Sequence, residues 1–186
     1  SHHGCQERMN EMDNHNETEG RLKTTGAASL AELHATKEYI LPDERMQHPA
    51  AVIECIEAIP CNPCETACPV HAITVGSEIT NLPVIDIETC TGCGLCVAAC
   101  PGLAIYLKQK NYTKNLSFIA FPFEYLPLPE AGRTVNMVNR YGQVVCEGTV
   151  IKVVTIKRFN RTAIIYASYP VEQYEHVVNM QRLATD

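Results

Sequence analysis

The stretch Cys90-Thr-Gly-Cys93-Gly-Leu-Cys96-Val-Ala-Ala-Cys100-Pro101 decides how this chain folds, and its second part is repeated. The segment Cys61-Asn-Pro-Cys64-Glu-Thr-Ala-Cys68-Pro69-Val-His-Ala-Ile73 aligns with Cys93-Gly-Leu-Cys96-Val-Ala-Ala-Cys100-Pro101-Gly-Leu-Ala-Ile105; seven of thirteen positions are identical, at an offset of 32 residues. Val52-Ile53-Glu54 has a counterpart in Val84-Ile85-Asp86. A duplication of this kind implies two similar sites related by a pseudo-twofold axis. The proline after each last cysteine has no amide hydrogen and turns the chain out of the thiol-bearing loop. Gly92 and Gly94 allow the backbone to come close to whatever the thiols hold.

The chain has ten cysteines, and eight fall between Cys55 and Cys100. They are not spread like a disulfide framework, and dense cysteine without a secretory signal more often means metal. Paired C-x2-C motifs can hold structural zinc. Here, however, the pairs sit inside triplets that end in Cys-Pro, twice over, and zinc would leave several thiols surplus. The second half, C-x2-C-x2-C-x3-C-P, resembles the bacterial ferredoxins that carry two [4Fe–4S] clusters. That resemblance implies that three thiolates on a tight loop take three irons of one cubane, while the fourth cysteine points away to the other. The first half departs from the pattern. Its expected first ligand would fall at Ala58, but the nearest cysteine is Cys55, so that Ile56-Glu-Ala-Ile-Pro60 carries a three-residue insertion. By the crosswise rule, Cys55, Cys61, Cys64 and Cys100 hold cluster one, and Cys90, Cys93, Cys96 and Cys68 hold cluster two. Cys55 is the least regular ligand, and a three-iron cluster is the alternative at its site. Cys5 and Cys146 are expected to be thiols outside both clusters.

Ile53, Ile59, Ile73, Val84, Ile85, Leu95, Val97, Leu103 and Ile105 are expected to form the apolar shield around the ligands. His71, which stands where the repeat has Leu103, reads as a surface or supporting residue, and Tyr106 as a packing residue.

A hydrophobic content of 46% is sufficient for a folded core, and the formal net charge is −6. Residues 1–49 carry nine acids and five bases, residues 50–108 six acids and one base, and residues 109–186 six acids and nine bases. Nucleic acid is not an expected partner, because phosphate binding needs a basic surface. An acidic middle block can steer toward a basic partner. No apolar run reaches membrane-spanning length, and the chain is expected to be cytoplasmic. Ser1-His2-His3-Gly4 reads as a tag remnant and is left out of the metal-binding argument.

The expected fold class is α+β, with a ferredoxin-type pseudo-twofold two-cluster domain followed by a small β-rich domain with a C-terminal helix. Residues 1–49 form an N-terminal extension, polar and irregular at first. In it, the capping box Ser29-Leu-Ala-Glu32 opens a short helix to about Tyr39. Residues 50–108 are the two-cluster domain, 109–115 a linker, and 116–186 a small β-barrel-like docking domain. Strands are expected at 51–54, 116–121, 134–138, 143–156 and 161–168, with a turn at Arg140-Tyr141-Gly142 and a closing helix over 171–183.

No nucleotide loop, nucleophile elbow or triad is present, so no catalytic residue is expected; the expected work is electron transfer. Three strings are distinctive: Val52 to Pro69, Cys90 to Ile105, and Phe123-Glu-Tyr-Leu-Pro-Leu-Pro-Glu130. Together, from about residue 22 to 183, they resemble the ferredoxin-like small subunit of multi-subunit FAD-dependent dehydrogenases of the proline/hydroxyproline type. That resemblance implies a flavoprotein dehydrogenase subunit as partner, with a further iron–sulfur subunit as a candidate. A stand-alone soluble electron carrier and a redox-sensing or structural cluster protein are the other readings.

Overall fold

A computed structural model describes residues 22–184. Ser1 to Gly4, Cys5 and most of the polar N-terminal stretch lie outside the described residues. Two short helices come first, α1 (Leu22–Thr25) and α2 (Leu30–Ala35). Ser29 caps α2 as expected: its hydroxyl accepts from the Glu32 amide at 3.2 Å, and the Glu32 carboxylate accepts the Ser29 amide at 2.9 Å. The helix stops at Ala35, short of Tyr39, where Thr36 turns extended and its hydroxyl donates to the Glu32 carbonyl at 2.9 Å.

The cysteine-bearing segment follows: β1 (Ala50–Ile53), α3 (Pro63–Ala67), β2 (Ile73–Thr74), β3 (Val84–Ile85) and α4 (Leu95–Ala99). The next strands are β4 (Ile105–Thr113), β5 (Leu116–Phe123), β6 (Thr134–Val138), β7 (Val144–Val154), β8 (Ala163–Pro170) and β9 (Asn179–Met180). One antiparallel sheet of seven strands runs β1-β4-β5-β8-β7-β6-β9, and β2 pairs with β3 separately. The pairings keep the sequence repeat: Ile53 faces Ile105 between β1 and β4, and Ile73 faces Ile85 between β2 and β3. The Glu54 amide then donates to the Ala104 carbonyl at 2.9 Å, and the Asp86 amide to the Ala72 carbonyl at 2.8 Å.

Two expectations are corrected here. Residues 109–115 are not a linker. They continue β4 and turn at Lys114-Asn115, where Asn115 takes a left-handed φ of 63° that asparagine tolerates. The polar Lys108-Gln-Lys-Asn run hid the strand, because ladder hydrogen bonds are made by backbone whatever the side chains are. The closing helix over 171–183 is also absent. Instead, a single 3-10 turn (Val171–Gln173) leads into the two-residue β9, whose flanking amides on Val178 and Gln181 donate to β6 carbonyls at 3.0 and 2.8 Å. The apolar spacing was real, since Tyr174, Val177, Val178 and Met180 are buried. Their burial comes from tertiary packing, and the adjacent β-branched Val177 and Val178 suit strand better than helix. The remaining strands fall close to the expected positions, and Gly142 closes the β6–β7 turn with φ 75°.

The sheet is buried on both faces. One face joins Ile105, Leu107, Phe118, Ala120 and Ile164 to the cysteine-bearing segment. The other joins Ile119, Phe121, Ile165 and Tyr169 to Met137, Tyr174 and Met180. The core around the cysteines thus draws on residues from both sides of the expected domain boundary.

Lys108, fully buried on β4, donates to the Tyr174 carbonyl at 3.1 Å. Burial, reinforced by Arg140, pulls its ammonium from 10.5 down to about 7. Between those values the folded chain has released a proton that the unfolded chain still holds, so stability should rise with pH. Anaerobic urea denaturation should therefore show a rising midpoint between about pH 7 and pH 10, with a gain on the order of 1 kcal/mol per pH unit. Lys108→Met should flatten that rise; a Met variant with the parent's pH profile would show that Lys108 does not set it.

Candidate metal centre

The eight cysteines fall into two groups. Cys55, Cys61, Cys64 and Cys100 line one pocket, walled by Ile53, Pro83 and Ile105. Cys68, Cys90, Cys93 and Cys96 line another, walled by Ile73, Ala72 and Leu107. Each half of the repeat therefore contributes its fourth cysteine to the other half's pocket.

Short helices make that exchange. Pro63 opens α3, and its fixed φ suits the first helical turn. Cys64 lies in α3 and Cys68 is its C-cap; Cys96 lies in α4 and Cys100 is its C-cap. Gly94 precedes α4 with a φ of 79°. Gly92, at φ 65°, lies against Pro49, and an added Cβ would sit 2.4 Å from the Pro49 carbonyl oxygen. After each Cys-Pro the chain reverses through a left-handed residue, His71 (φ 54°) in one half and Leu103 (φ 53°) in the other. This reversal aims a backbone amide at each C-cap sulfur: Ala72 donates to Cys68 Sγ at 3.2 Å and Ala104 to Cys100 Sγ at 3.4 Å. Hydrogen bonds to ligand sulfur are one of the means by which a protein sets cluster potential.

The insertion bulges while Cys55 stays with its group. β1 ends at Ile53, so that Cys55 lies two residues beyond the ladder, and the Cys61 amide donates to the Ile79 carbonyl at 3.2 Å. A buried ion pair holds the residue before Cys55. Arg140 Nε donates to Glu54 at 2.8 Å and its Nη1 to the Glu175 carbonyl at 3.1 Å, with 6% and 7% of the Arg140 and Glu54 side chains exposed. Breaking such a pair strands a buried charge at a cost of about 3–5 kcal/mol. Nothing in the sequence pointed to this contact across 86 residues.

The electrostatics follow the same division. Burial pushes the Cys64 thiol up to about 11, with Cys100 and Cys61 adding to the effect. Burial also raises Cys55, again with Cys100 and Cys61. Cys96 is pushed up to about 12 by burial, with Cys90, Cys93 and Cys68 adding. Thiolates crowded in apolar pockets need positive charge beside them, and bound iron supplies it while keeping its ligands deprotonated. Among the described residues no group of three His, Cys, Asp or Glu side chains is placed to hold a single metal ion. Four thiols spread around a pocket suit a cubane, in which each binds a different iron.

Five of the nine expected shield residues, Ile53, Ile73, Ile85, Val97 and Ile105, are buried. Leu95 is half-buried, whereas Ile59, Val84 and Leu103 are exposed. Leu103 occupies the reversal after Pro101 and Ile59 the inserted bulge, so both point outward. His71 is exposed, and Tyr106 packs partly buried against the far face of the sheet. Cys146 lies on β7, outside both pockets.

Residues 54–104 match the 4Fe-4S dicluster domain. This dicluster segment contains all eight grouped cysteines, and the chain carries two [4Fe–4S] clusters. The matched segment is ferredoxin-like. Over 48 residues it is 44% identical to an uncharacterised ferredoxin of Methanocaldococcus jannaschii, covering 26% of this chain and 30% of that one. Over 53 residues it is 45% identical to one component of an ion-translocating oxidoreductase complex of Methanosarcina acetivorans, covering 28% of this chain and 19% of the relative. Over 48 residues it is 46% identical to the polyferredoxin-like subunit of an aliphatic sulfonate oxidoreductase of Pyrococcus furiosus, covering 26% and 27%. The match thus spans less than a third of each of these relatives. No solved structure gives a significant match. Among the described residues no helix is long and apolar enough to cross a membrane.

Proposed function

We propose that this chain is the ferredoxin-like electron-transfer subunit of a multi-subunit, flavin-dependent dehydrogenase of the proline/hydroxyproline type. The observation that carries the electron-transfer reading is the division of eight cysteines into two four-thiol pockets. In this reading Cys55, Cys61, Cys64 and Cys100 hold cluster one, and Cys68, Cys90, Cys93 and Cys96 hold cluster two. The two sites are related by a pseudo-twofold axis. Its support is the matched register of Ile53 with Ile105 and Ile73 with Ile85, together with the paired amide-to-sulfur bonds.

The partner is a flavoprotein dehydrogenase subunit, with a further iron–sulfur subunit completing the path in the cytoplasm. Two of the relatives above are named as subunits of oxidoreductases, one of them a complex, which supports a place in a complex. The Phe123-Glu-Tyr-Leu-Pro-Leu-Pro-Glu130 string and the sequence beyond the dicluster segment support the particular enzyme class. Residues 116–186 supply docking surface in this reading, and residues 1–49 an extension of the same assembly.

Anaerobic redox titration followed by electron paramagnetic resonance tests the reading. Two reversible one-electron steps are expected, with reoxidation of the reduced protein by the copurified partner flavoprotein at catalytic rates. Clusters that cannot be reduced and reoxidised without loss of iron would make them structural and overturn it.

A further inference from the structure

We propose that the loop over residues 155–162, which packs against Gly94 at the pocket that contains Cys93, is a docking face for an acidic electron-transfer protein. The proposal rests on the assignment of Cys68, Cys90, Cys93 and Cys96 to one cluster.

The loop carries Lys157, Arg158 and Arg161, all exposed, and no acid occurs from residue 148 to residue 171. Lys152 adds a fourth exposed cation, its Nζ 4.4 Å from the centre of the Tyr166 ring. The loop is fastened to the metal centre from below. Phe159 is buried in the same core as Val97 and Cys96. A Cβ built on Gly94 would lie 3.7 Å from Phe159 and 3.8 Å from the Tyr166 hydroxyl. Gly94 directly follows Cys93, which is itself exposed. The loop that carries the basic side chains therefore packs beside Gly94, next to the exposed Cys93.

The loop is also held in shape. Asn160 and Arg161 take left-handed φ values of 49° and 66°, and the Asn160, Arg161 and Thr162 amides donate to the Lys157, Ile156 and Phe159 carbonyls at 3.0, 3.2 and 2.9 Å. A preformed surface loses less freedom on binding.

Charge decides the partner's chemistry. On the dicluster segment the exposed charges, Glu57, Glu78, Asp86 and Glu88, are all acidic, and the first base after it, Lys108, is buried. The positive patch is thus confined to this loop and the end of β7, whereas the dicluster segment's exposed charge is negative. A nucleic acid needs an extended basic track, and the dicluster segment offers only acidic exposed charges to continue one. A protein with an acidic rim around its redox centre fits the patch, with the two centres brought close by the same contact.

The test uses the full cluster-loaded protein, reduced with dithionite, and acidic cytochrome b5 as the probe. One electron passes from the reduced protein to the haem iron(III), giving iron(II), with no bond made or broken. In stopped-flow experiments at low salt, Arg158→Glu/Arg161→Glu should slow this transfer by about tenfold. A control of equal charge, Lys114→Glu/Arg133→Glu, changes exposed residues elsewhere and should slow it by less than about twofold, the net charge alone being altered. The difference should close at high salt. Equal effects of the two double variants would overturn the proposal. So would an unchanged cytochrome b5 rate combined with loss of single-stranded DNA retention, which would assign the patch to nucleic acid. Iron content is measured alongside. If the first double variant loses iron, Arg158→Glu alone carries the comparison against Lys114→Glu. Full iron content in Cys93→Ser would instead overturn the ligand assignment, separately from the docking result.

Discussion

Deleting residues 116–186 is expected to strip the protein of most of its iron. The sequence suggests a separable tail, because all eight ligands precede it. The structure places the cut through a shared sheet and a shared core. β4 pairs with β5 at Leu107–Ala120, Lys108–Ile119 and Gln109–Phe118. Phe118, Phe159 and Ile164 pack with Cys64, Cys96, Ile105 and Leu107 in one core. Each such side chain contributes about 1.5–3 kcal/mol by burial. Losing three at once is comparable to a typical domain's net stability of about 5–15 kcal/mol. The truncated chain would also present β4 as an unpaired edge beside an apolar face. Iron per chain and cluster absorbance, compared anaerobically with the full protein, measure the effect. A truncated protein with full iron would show that the dicluster segment stands alone and that the tail serves docking only.

Single cysteine substitutions should sort the ligands crosswise. Cys55→Ser should cost roughly half of the iron, one cubane of two, and leave the other cluster's resonance signal intact. Cys68→Ser should damage the same signal as Cys93→Ser, although Cys68 belongs to the half of the repeat that holds Cys61 and Cys64. Its place in the pocket with Cys90, Cys93 and Cys96 is the reason. A Cys68→Ser spectrum like that of Cys61→Ser would contradict the exchange of fourth ligands. Full iron in Cys55→Ser would mean that the insertion has displaced the first ligand of that site.

The metal centre was far more legible in the sequence than the sheet beside it. Cysteine spacing is a local signal, and the repeat placed Ile53, Ile73, Ile85 and Ile105 on the core without any knowledge of the fold. Local chemistry also gave the Ser29 cap and the turn at Gly142. What failed was decided by distant partners. Lys108 begins a polar run, yet it lies inside a central strand because the Tyr174 carbonyl, 66 residues away, accepts its ammonium hydrogen. Val177 and Val178 are buried by β6 and the sheet, so their spacing resembles a helix face without forming one. The Glu54–Arg140 pair left no trace in spacing or composition. Ile59 and Leu103 are apolar but sit on a bulge and a chain reversal, where backbone geometry turns them toward water.

The most direct measurement is the iron and acid-labile sulfide content of anaerobically purified protein, read together with the resonance spectrum of the reduced state. Two cubanes require about eight irons and eight sulfides per chain, with signals of two interacting one-electron centres. Stoichiometric zinc with little iron, or about four irons in a single centre, would contradict the account.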